Sequence, residues 1–426
     1  MEVRDASAGY APQVEVPAVP GGYKQTEVGV IPEDWEADNL GRFWGLTDCK
    51  HVTAPFVPQG FPLASIREVQ SRFVDLTNAK QTTKTFYKLL IEGGRKPQAE
   101  DLILSRNATV GEVAQVAEWH PPFAMGQDVC LLRKKSDELS TEFLQCVFQS
   151  SIVRKQLADL MVGSTFKRAN VEQIRNFTVP MPPGKEQRAI ATALSDVDAL
   201  LEALDRLIAK KRDIKQATMQ QLLTAQTRLP GFEGEWEVKE LGELAEIIMG
   251  QSPSSSNYNT KGAGLPLIQG NADIDGRKSI QRFFTTQITK KGKAGDILLS
   301  VRAPVGEIAR ATFDLCLGRG VCAIRAPNDF LYHYLIYLEP TWARHSKGST
   351  FDSVNSSDVK VVEIRIPTDI AEQKAIATVF SDMDTELEAL QQHRTKTAAL
   401  KQSMMQELLT GRTRLVGLQV GAEAGE

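Results

Sequence analysis

The chain has 426 residues, a net charge of −3 and a pI near 6.1, with 42% hydrophobic and 24% charged residues. This length predicts two or more domains, and no apolar run reaches the roughly 18 residues of a membrane span. Residues 1–22 lack the basic start and apolar core of a signal peptide, and five cysteines without a CxxC pair favour a reduced, cytoplasmic compartment.

The first half of the chain alternates short strand patterns with turns. Residues 1–22, rich in Ala, Pro, Val and Gly, are predicted to be a disordered leader, and residues 23–185 form the first domain. Within it, DLILSRNATVGEVA from Asp101 predicts an apolar strand, a polar turn and a second strand. It is followed by the strand-like MGQDVCLLR from Met125, a helical stretch at 141–160, Gly-Ser-Thr-Phe at 163–166 and a strand at 177–182.

A long helix is predicted over 186–229, because no Gly or Pro interrupts it and apolar residues recur with heptad spacing. Its seam consists of Ile190, Leu194, Val197, Leu201, Leu204 and Ile208. A seam this narrow favours a helix partner over a globular face. The alternative is a helix that covers only its own domain.

The second half repeats these pieces in the same order. Residues 230–371 form the second domain, and a second long helix is predicted over 372–415, before a flexible tail at 416–426. The two helices are identical at about 24 of 44 positions without a gap. The shared pieces are DILLSVRAPVGEIA from Asp296, LGRGVCAIR from Leu317, a helical stretch at 328–346, Gly-Ser-Thr-Phe at 348–351 and a strand at 363–367.

Motifs of catalysis are absent from the sequence. It contains no GxxxxGK[ST], GxGxxG, HExxH or GxSxG, and its five histidines are scattered. The tetrapeptide HPPF at 120–123 is interpreted as a Pro-Pro loop, since its first residue is not Asn and no glycine-rich loop precedes it. We therefore expect a binding protein without a catalytic or metal site.

These repeats resemble the specificity (S) subunit of type I restriction–modification systems, the HsdS family. The resemblance rests on the opening GYKQTEVGVIPEDWE, the paired DLILSRNATVGEV and DILLSVRAPVGEI, the two Gly-Ser-Thr-Phe segments and the paired EQRAIATALSDVD and EQKAIATVFSDMD helices. It covers about residues 22–415.

The resemblance implies an α+β fold with two pseudo-symmetric target recognition domains of mixed sheet and short helices, joined by two long antiparallel helices that form a coiled coil. Each domain would read one half of a split sequence in double-stranded DNA, and the helices would set the spacer. The chain would carry no cofactor. Two modification subunits would use S-adenosylmethionine to methylate adenine, and restriction subunits, where a system has them, would use ATP and Mg.

Base-edge readout favours Arg, Lys, Asn and Gln on exposed loops, which selects candidate DNA-binding residues in both halves. In the first half they are Lys80, Gln81, Lys84, Arg106, Asn107, Lys167 and Arg168. In the second they are Gln251, Ser252, Asn257, Tyr258, Arg302 and Lys347. The Arg106–Asn107 turn and Arg302 are preferred, because they lie in a shared turn where the halves differ.

Two other functions compete with DNA reading. A coiled-coil scaffold could bridge protein partners without reading bases, but about 12 Lys and Arg against about 5 Asp and Glu between Arg277 and Lys347 favour a polyanion partner. An enzyme in its own right is disfavoured by the missing motifs. No membrane association is expected.

Overall fold

The structure is a computed structural model that describes residues 19–161, 168–344 and 353–415. These residues fall into two compact units. The first consists of the described residues up to Ala203 together with those from Thr395 onward, and the second is Leu204–Arg394. Most of the predicted leader, both Gly-Ser-Thr-Phe segments and the predicted tail lie outside the described residues.

The first unit contains eleven strands and five short helices among its described residues. The strands are β1 (Tyr23–Thr26), β2 (Gly29–Pro32), β3 (Glu36–Asn39), β4 (Trp44–Asp48), β5 (Phe61–Ala64), β6 (Gln81–Thr82), β7 (Leu102–Ser105), β8 (Val113–Gln115), β9 (Ala124–Met125), β10 (Val129–Lys134) and β11 (Thr178–Met181). The helices are α1 (Leu40–Phe43), α2 (Lys84–Leu90), α3 (Thr141–Gln149), α4 (Ser151–Met161) and α5 (Val171–Arg175). The long helix α6 (Gly184–Leu223) begins here and ends in the second unit.

The second unit has thirteen strands among its described residues. They are β12 (Trp236–Glu240), β13 (Glu246–Met249), β14 (Tyr258–Asn259), β15 (Leu265–Ile268), β16 (Ile274–Asp275), β17 (Lys278–Ser279), β18 (Phe283–Thr285), β19 (Lys291–Gly292), β20 (Ile297–Ser300), β21 (Ile308–Arg310), β22 (Leu315–Leu317), β23 (Val321–Arg325) and β24 (Glu363–Pro367). Its short helices are α7 (Leu241–Leu244), α8 (Phe330–Leu338) and α9 (Ser356–Lys360). The second long helix, α10 (Ile370–Leu408), begins here and ends in the first unit.

The main sheet of the first unit has the order β4-β10-β7-β8 and is antiparallel throughout. A three-stranded sheet, β6-β5-β9, lies beside it with β5 and β9 parallel. All four residues of β7 are buried, because one face of the main sheet packs on α3 and the long helices and the other on a second core around Ile103 and Val129.

The second unit has the same sheet centre with more strands. Its larger sheet has the order β13-β23-β20-β21-β17-β16, and its smaller sheet has the order β14-β18-β15-β22-β19. The predicted DILL strand is β20, and it pairs antiparallel with β23 just as β7 pairs with β10. The strands predicted from the shared motifs are therefore present in both units.

Within each unit the long helices run antiparallel to each other. In the first unit Asp198 of α6 pairs with Lys401 of α10 at 2.6 Å. In the second unit Lys211 pairs with Glu386 at 2.7 Å and Lys215 with Asp384 at 2.5 Å, so a later residue in α6 meets an earlier one in α10. The apolar seam is shared between partners: Ile190 and Leu194 join the core of the first unit together with Met405 and Leu408.

Both long helices end earlier than the sequence repeat does. After α6 the residue Ala225 has φ +57°, and Gln226 N–H donates to the Gln221 carbonyl at 3.0 Å. After α10 the residue Gly411 has φ +67°, and Arg412 N–H donates to the Glu407 carbonyl at 3.0 Å. These are left-handed C-terminal caps. The sequence repeat continues past the end of each helix because the residues that form the C-terminal cap are part of the repeat.

The segment after each cap places an arginine beside the first turn of the other long helix. Arg414 binds Glu186 through two hydrogen bonds of 2.7 and 2.8 Å, and Arg228 binds Glu372 through two of 2.6 and 2.7 Å. Both glutamates are buried, at 2% and 0% exposure. Each unit is therefore closed by a two-pronged ion pair between the start of one long helix and the segment after the other.

Candidate nucleic-acid interface

Equivalent turns lie at the end of the main sheet in both units. In the first unit the turn after β7 is held by Gly111 N–H donating to the Ser105 carbonyl at 3.0 Å. In the second, Gly306 N–H donates to the Ser300 carbonyl at 3.0 Å. Both glycines have positive φ, +94° and +106°, as the tight turn requires. We call these the hairpin turns.

A second turn lies beside each hairpin turn. Arg106 N–H donates to the Asp128 carbonyl at 2.8 Å in the first unit, and Val301 N–H donates to the Gly320 carbonyl at 2.9 Å in the second. The neighbouring turns, Gly126–Asp128 before β10 and Gly318–Gly320 before β23, therefore share a surface with the hairpin turns. We call them the flanking turns.

Arg106, predicted to be an exposed base reader, is in the interior. It is 3% exposed, and its guanidinium lies 2.5 Å from the Asp48 carboxylate. The physical reason is the alternation of side chains at the end of β7, since the equivalent Val301 is also buried, at 2%. The expectation of exposure was wrong. In this conformation the Arg106 side chain packs beneath the hairpin turn and pairs with Asp48.

Two of the predicted candidates, Asn107 and Arg168, are brought together by the fold. Their backbones form a β-bridge, and the Asn107 side chain accepts a hydrogen bond from Ala108 N–H at 2.9 Å. Arg168 is exposed and lies 3.3 Å from the Asp128 carboxylate. Asn107 and Arg168 therefore lie on the surface that the hairpin and flanking turns form in the first unit.

Of the other described first-unit candidates, only Lys80 lines an open cleft of about 410 Å³. Its ammonium lies 4.2 Å from the ring centre of the exposed Phe56. The side-chain oxygen of Gln81 already has a partner within the fold, because it accepts a hydrogen bond from Gly60 N–H at 2.6 Å. Lys84 is exposed at the start of α2.

The same cleft is lined by residues that the sequence reasoning missed, namely Phe56, Arg67 and Gln127. Asp128 lines it as well, so the cleft is continuous with the flanking turn and with Arg168. Phe56 and Arg67 had no sequence signal, because only the fold brings their loops to this turn. Gln127 had one, since it stands in a shared motif where the halves differ.

In the second unit Arg302 lies on the hairpin turn, as predicted. It is exposed, and its backbone bridges to Ser353, the counterpart of the Asn107–Arg168 bridge. No hydrogen bond or ion pair joins its guanidinium to another described residue. Its side chain is thus available to a ligand on this surface.

Gln251 and Ser252 are held against the flanking turn. Gln251 N–H donates to the Leu317 carbonyl at 2.9 Å, and the Ser252 hydroxyl accepts from Arg319 N–H at 3.1 Å. Asn257 donates to the Gln287 side chain at 3.0 Å, and the Tyr258 hydroxyl donates to the Pro253 carbonyl at 3.2 Å. The predicted loop is therefore ordered by its own hydrogen bonds and adjoins the surface that carries Arg302.

Arg319 is the residue that sequence reasoning missed in the second unit. It is exposed at the tip of the flanking turn and is the counterpart of Gln127. The signal was available, because MGQD and LGRG differ at this position within a shared motif. The candidates Lys167 and Lys347 lie outside the described residues.

One group of potential metal ligands lies at the end of β4 in the first unit. Oxygen, sulfur and nitrogen atoms of Asp48, Cys49 and His51 lie within 4.8 Å of one another. Arg106 already neutralises Asp48, and burial, followed by the Asp48 charge, raises the pKa of the Cys49 thiol. A protonated thiol next to an arginine is a poor cation ligand, so these residues fit a buried ion pair better than a metal site.

Several arginines of the second unit are paired with carboxylates. Arg277 binds Glu339 at 2.5 Å, Arg310 binds Asp329 at 2.9 Å and Arg325 binds Asp296 at 2.8 Å. The hydrogen bond to Glu339 raises the pKa of Arg277 further above its ordinary value. These arginines hold the fold, which leaves Arg302 and Arg319 as cations without a described acidic partner on the surface formed by the two turns.

Across residues 19–161, 168–344 and 353–415, no helix combines the length and apolar character that crossing a membrane requires.

Comparison with known proteins assigns the chain to a family. The model of the type I restriction modification DNA specificity domain matches residues 70–211 and again 233–398. A putative type I restriction enzyme MjaX specificity subunit from Methanocaldococcus jannaschii is 30% identical, over 92% of this chain and 97% of that protein.

Solved structures agree on the fold. The S subunit of a type I restriction-modification system from M. genitalium is 17% identical, with a TM-score of 0.59 over 88% of this chain and 96% of that one. A chain from a type I R-M system, solved in a study of complex assembly and conformational transition, is 24% identical, with a TM-score of 0.58 over 90% and 99%. The double match to the family model, the relative of nearly equal length and the shared fold lead to one conclusion: this chain belongs to the family of type I restriction–modification DNA specificity subunits.

Proposed function

We propose that each unit of this specificity subunit reads one half of a split DNA sequence, and that the long helices set the distance between the halves. The observation that carries the proposal is the pair of surfaces formed by hairpin and flanking turns. They rest on matching backbone hydrogen bonds and carry different polar side chains, Asn107 and Arg168 in one unit and Arg302 in the other. Similar backbone turns that carry different side chains suit the recognition of two different half-sites.

The recognition domains are proposed to be residues 23–185 and 230–371, related by pseudo-symmetry, with the helices of 186–229 and 372–415 between them. The candidate base contacts are the exposed members of the predicted set and their neighbours on the same surfaces. Lys80 and Lys84 carry unshared charge toward the phosphate backbone, whose neutralisation supplies most sequence-independent affinity.

The helix pair is proposed to be an antiparallel coiled coil that acts as a rigid spacer. Ion pairs support the register in each unit, at Asp198–Lys401 in the first and at Asp205–Arg394 and Lys215–Asp384 in the second. A continuous helix lengthens by about 1.5 Å per residue, so it can fix a number of base pairs where a flexible linker could not.

The chain is proposed to be non-catalytic and to assemble with two modification subunits. Those subunits would bind S-adenosylmethionine and methylate adenine, and restriction subunits, where present, would bind ATP and Mg. Two similar domains in one chain would offer two similar surfaces to two identical partners, which supports this stoichiometry.

A matched insertion tests the spacer. Four residues inserted after Ala203 in α6 and four after Arg394 in α10 lengthen both helices where Asp205 faces Arg394, at 3.1 Å. About 6 Å is added, which corresponds to one or two base pairs at about 3.4 Å each. Sequencing of methylated adenines in cells that carry the complex should show both half-sites unchanged and a longer spacer.

The control is the same four residues inserted after Gly262, in an exposed loop, which should leave the spacer unchanged. Replacing residues 23–185 by the matching domain of a relative should alter one half-site only. Altered half-sites after the helix insertion, or two altered half-sites after the domain exchange, would refute the proposal.

A further inference from the structure

The tips of the two flanking turns carry different residues on equivalent supports. Gln127 follows Gly126 and precedes Asp128 in the first unit, and Arg319 lies between Gly318 and Gly320 in the second. Both side chains are exposed. The backbone bond from Arg106 to Asp128, and that from Val301 to Gly320, place each tip beside the hairpin turn that carries Asn107 or Arg302.

These tips are held rigidly. A Cβ on Gly126 would lie 2.1 Å from the Ser65 hydroxyl, and a Cβ on Gly320 would lie 2.1 Å from the Gln269 carbonyl. Each turn therefore packs directly on the residue that follows a strand, β5 in the first unit and β15 in the second. The Ser252 hydroxyl holds the Arg319 N–H at 3.1 Å. A rigid backbone beneath an exposed side chain provides the pre-organisation that base-specific contacts need.

The side chains themselves are largely free to bind. No hydrogen bond or ion pair joins the Arg319 guanidinium to a described residue, whereas Arg277, Arg310 and Arg325 are all paired with acids. Gln127 donates one hydrogen bond from Nε2 to the Thr53 hydroxyl at 3.3 Å. That contact is at the long end of the range and exposed, so it can be exchanged for a ligand.

We propose that Arg319 and Gln127 are specificity-determining residues, Arg319 reading a guanine in one half-site and Gln127 an adenine in the other. The assignment rests on the proposed function of one half-site per unit. Arginine matches guanine because its two N–H donors meet O6 and N7 in the major groove, and glutamine matches adenine because its amide both donates to N7 and accepts from N6.

The test uses the full chain in complex with its modification subunits. Arg319→Lys keeps the positive charge and removes the two-pronged donor, so it spares phosphate attraction and the fold. Methylated-adenine sequencing should show that one guanine of one half-site becomes degenerate, with the other half-site intact. Discrimination for that guanine, measured by binding to duplexes that differ at this base pair, should fall about 5- to 140-fold.

Gln127→Ala is the corresponding change in the first unit, and it should make one adenine of the other half-site degenerate. Lys261→Ala is the control, an exposed lysine on the loop between β14 and β15 of the second unit. It should leave every position of the motif unchanged.

Two failures are distinguishable. If the unaltered complex methylates no split sequence, the proposed function itself is wrong. If the unaltered complex reads a split sequence but Arg319→Lys leaves each position as selective as before, Arg319 does not read a base and this inference is overturned. The same holds for Gln127 if Gln127→Ala leaves its half-site unchanged.

Discussion

The two units place different chemistry at two equivalent positions, of which one is buried in both units and the other is half-buried. The first unit has the ion pair Asp48–Arg106. Strand pairing and the backbone hydrogen bonds of the turns show that Met249 of the second unit corresponds to Asp48, and Val301 to Arg106. A guanidinium at 3% exposure is costly unless it is paired, whereas two apolar side chains need only to fit. The sheet thus fixes the backbone of the hairpin turn and leaves the support beneath it free to vary.

A second difference lies where the short helix after the main sheet meets the long helices. Cys146 on α3 and His333 on α8 occupy equivalent places, and each lies near an equivalent acid–lysine pair, Asp198–Lys401 or Asp384–Lys215. Burial raises the pKa of Cys146 to about 12 and lowers the pKa of His333 to about 3. Both groups are neutral at pH 7 in the folded chain, but only the histidine takes up a proton in mild acid when the chain unfolds.

The largest expected effect comes from breaking the buried ion pair. Asp48→Met should lower the free energy of unfolding by about 3–5 kcal/mol, because it leaves the Arg106 charge buried without a partner. The double variant Asp48→Met with Arg106→Val copies the second unit and should return to within about 1 kcal/mol of the unaltered chain. Urea unfolding followed by tryptophan fluorescence measures both.

If the double variant were as unstable as the single one, the apolar pair of the second unit would not be a structural substitute for the ion pair. Met249→Asp supplies the converse control. It places an unpaired, half-buried carboxylate against the core that contains Val301 and should be destabilising by itself.

The next effect is a difference in acid sensitivity between the units. Because the pKa of His333 is about 3 in the folded chain and near 6.5 when unfolded, only the unfolded state takes up a proton between those values. Its contribution to stability is complete above pH 6.5 and is lost as the pH falls toward 3. From pH 7 to 5 the loss should be about 2 kcal/mol.

His333→Cys gives the second unit the residue of the first and should remove this component of the pH dependence. The matched control is His393→Gln, an exposed histidine on α10, which should leave the pH dependence as it was. Thermal unfolding between pH 5 and 7 distinguishes the two. Equal slopes for His333→Cys and the unaltered chain would contradict the assignment to His333.

The smallest effect concerns the helix pair. Lys211–Glu386 in the second unit corresponds to Thr397 and Leu200 in the first, so the ion pair has no counterpart there. Its side chains are 34% and 49% exposed, and such pairs contribute about 0.2–1 kcal/mol. Lys211→Thr with Glu386→Leu should change stability by less than about 1 kcal/mol, as urea unfolding at low and high salt can check.

A change above about 2 kcal/mol would mean that this pair stabilises the helices more than its exposure implies. The two units would then differ in how they stabilise the long helices, because only the second unit would depend on this ion pair.

The sequence anticipated the elements better than the surfaces. Repeated apolar runs identified β7 and β20, and heptad spacing identified both long helices, because these patterns are local and occur twice. Both helix ends were predicted too late. The cap at Ala225 lacks a glycine to mark it, and the prediction for the second helix followed the repeat past Gly411, which does mark the cap. Arg106 was predicted to be exposed because a turn residue is usually exposed, and only the sheet showed that this position faces inward.

The sequence by itself determined that the chain has two halves with a shared series of strand motifs in the same order and a similar long helix, because the repeated motifs impose the same hydrophobic pattern twice. The tertiary structure alone decided that Gln127 and Arg319 lie beside the hairpin turns, and that Phe56 and Arg67 line the cleft in the first unit. Residues far apart in sequence become neighbours only through strand pairing, and pairing depends on contacts that no local pattern records.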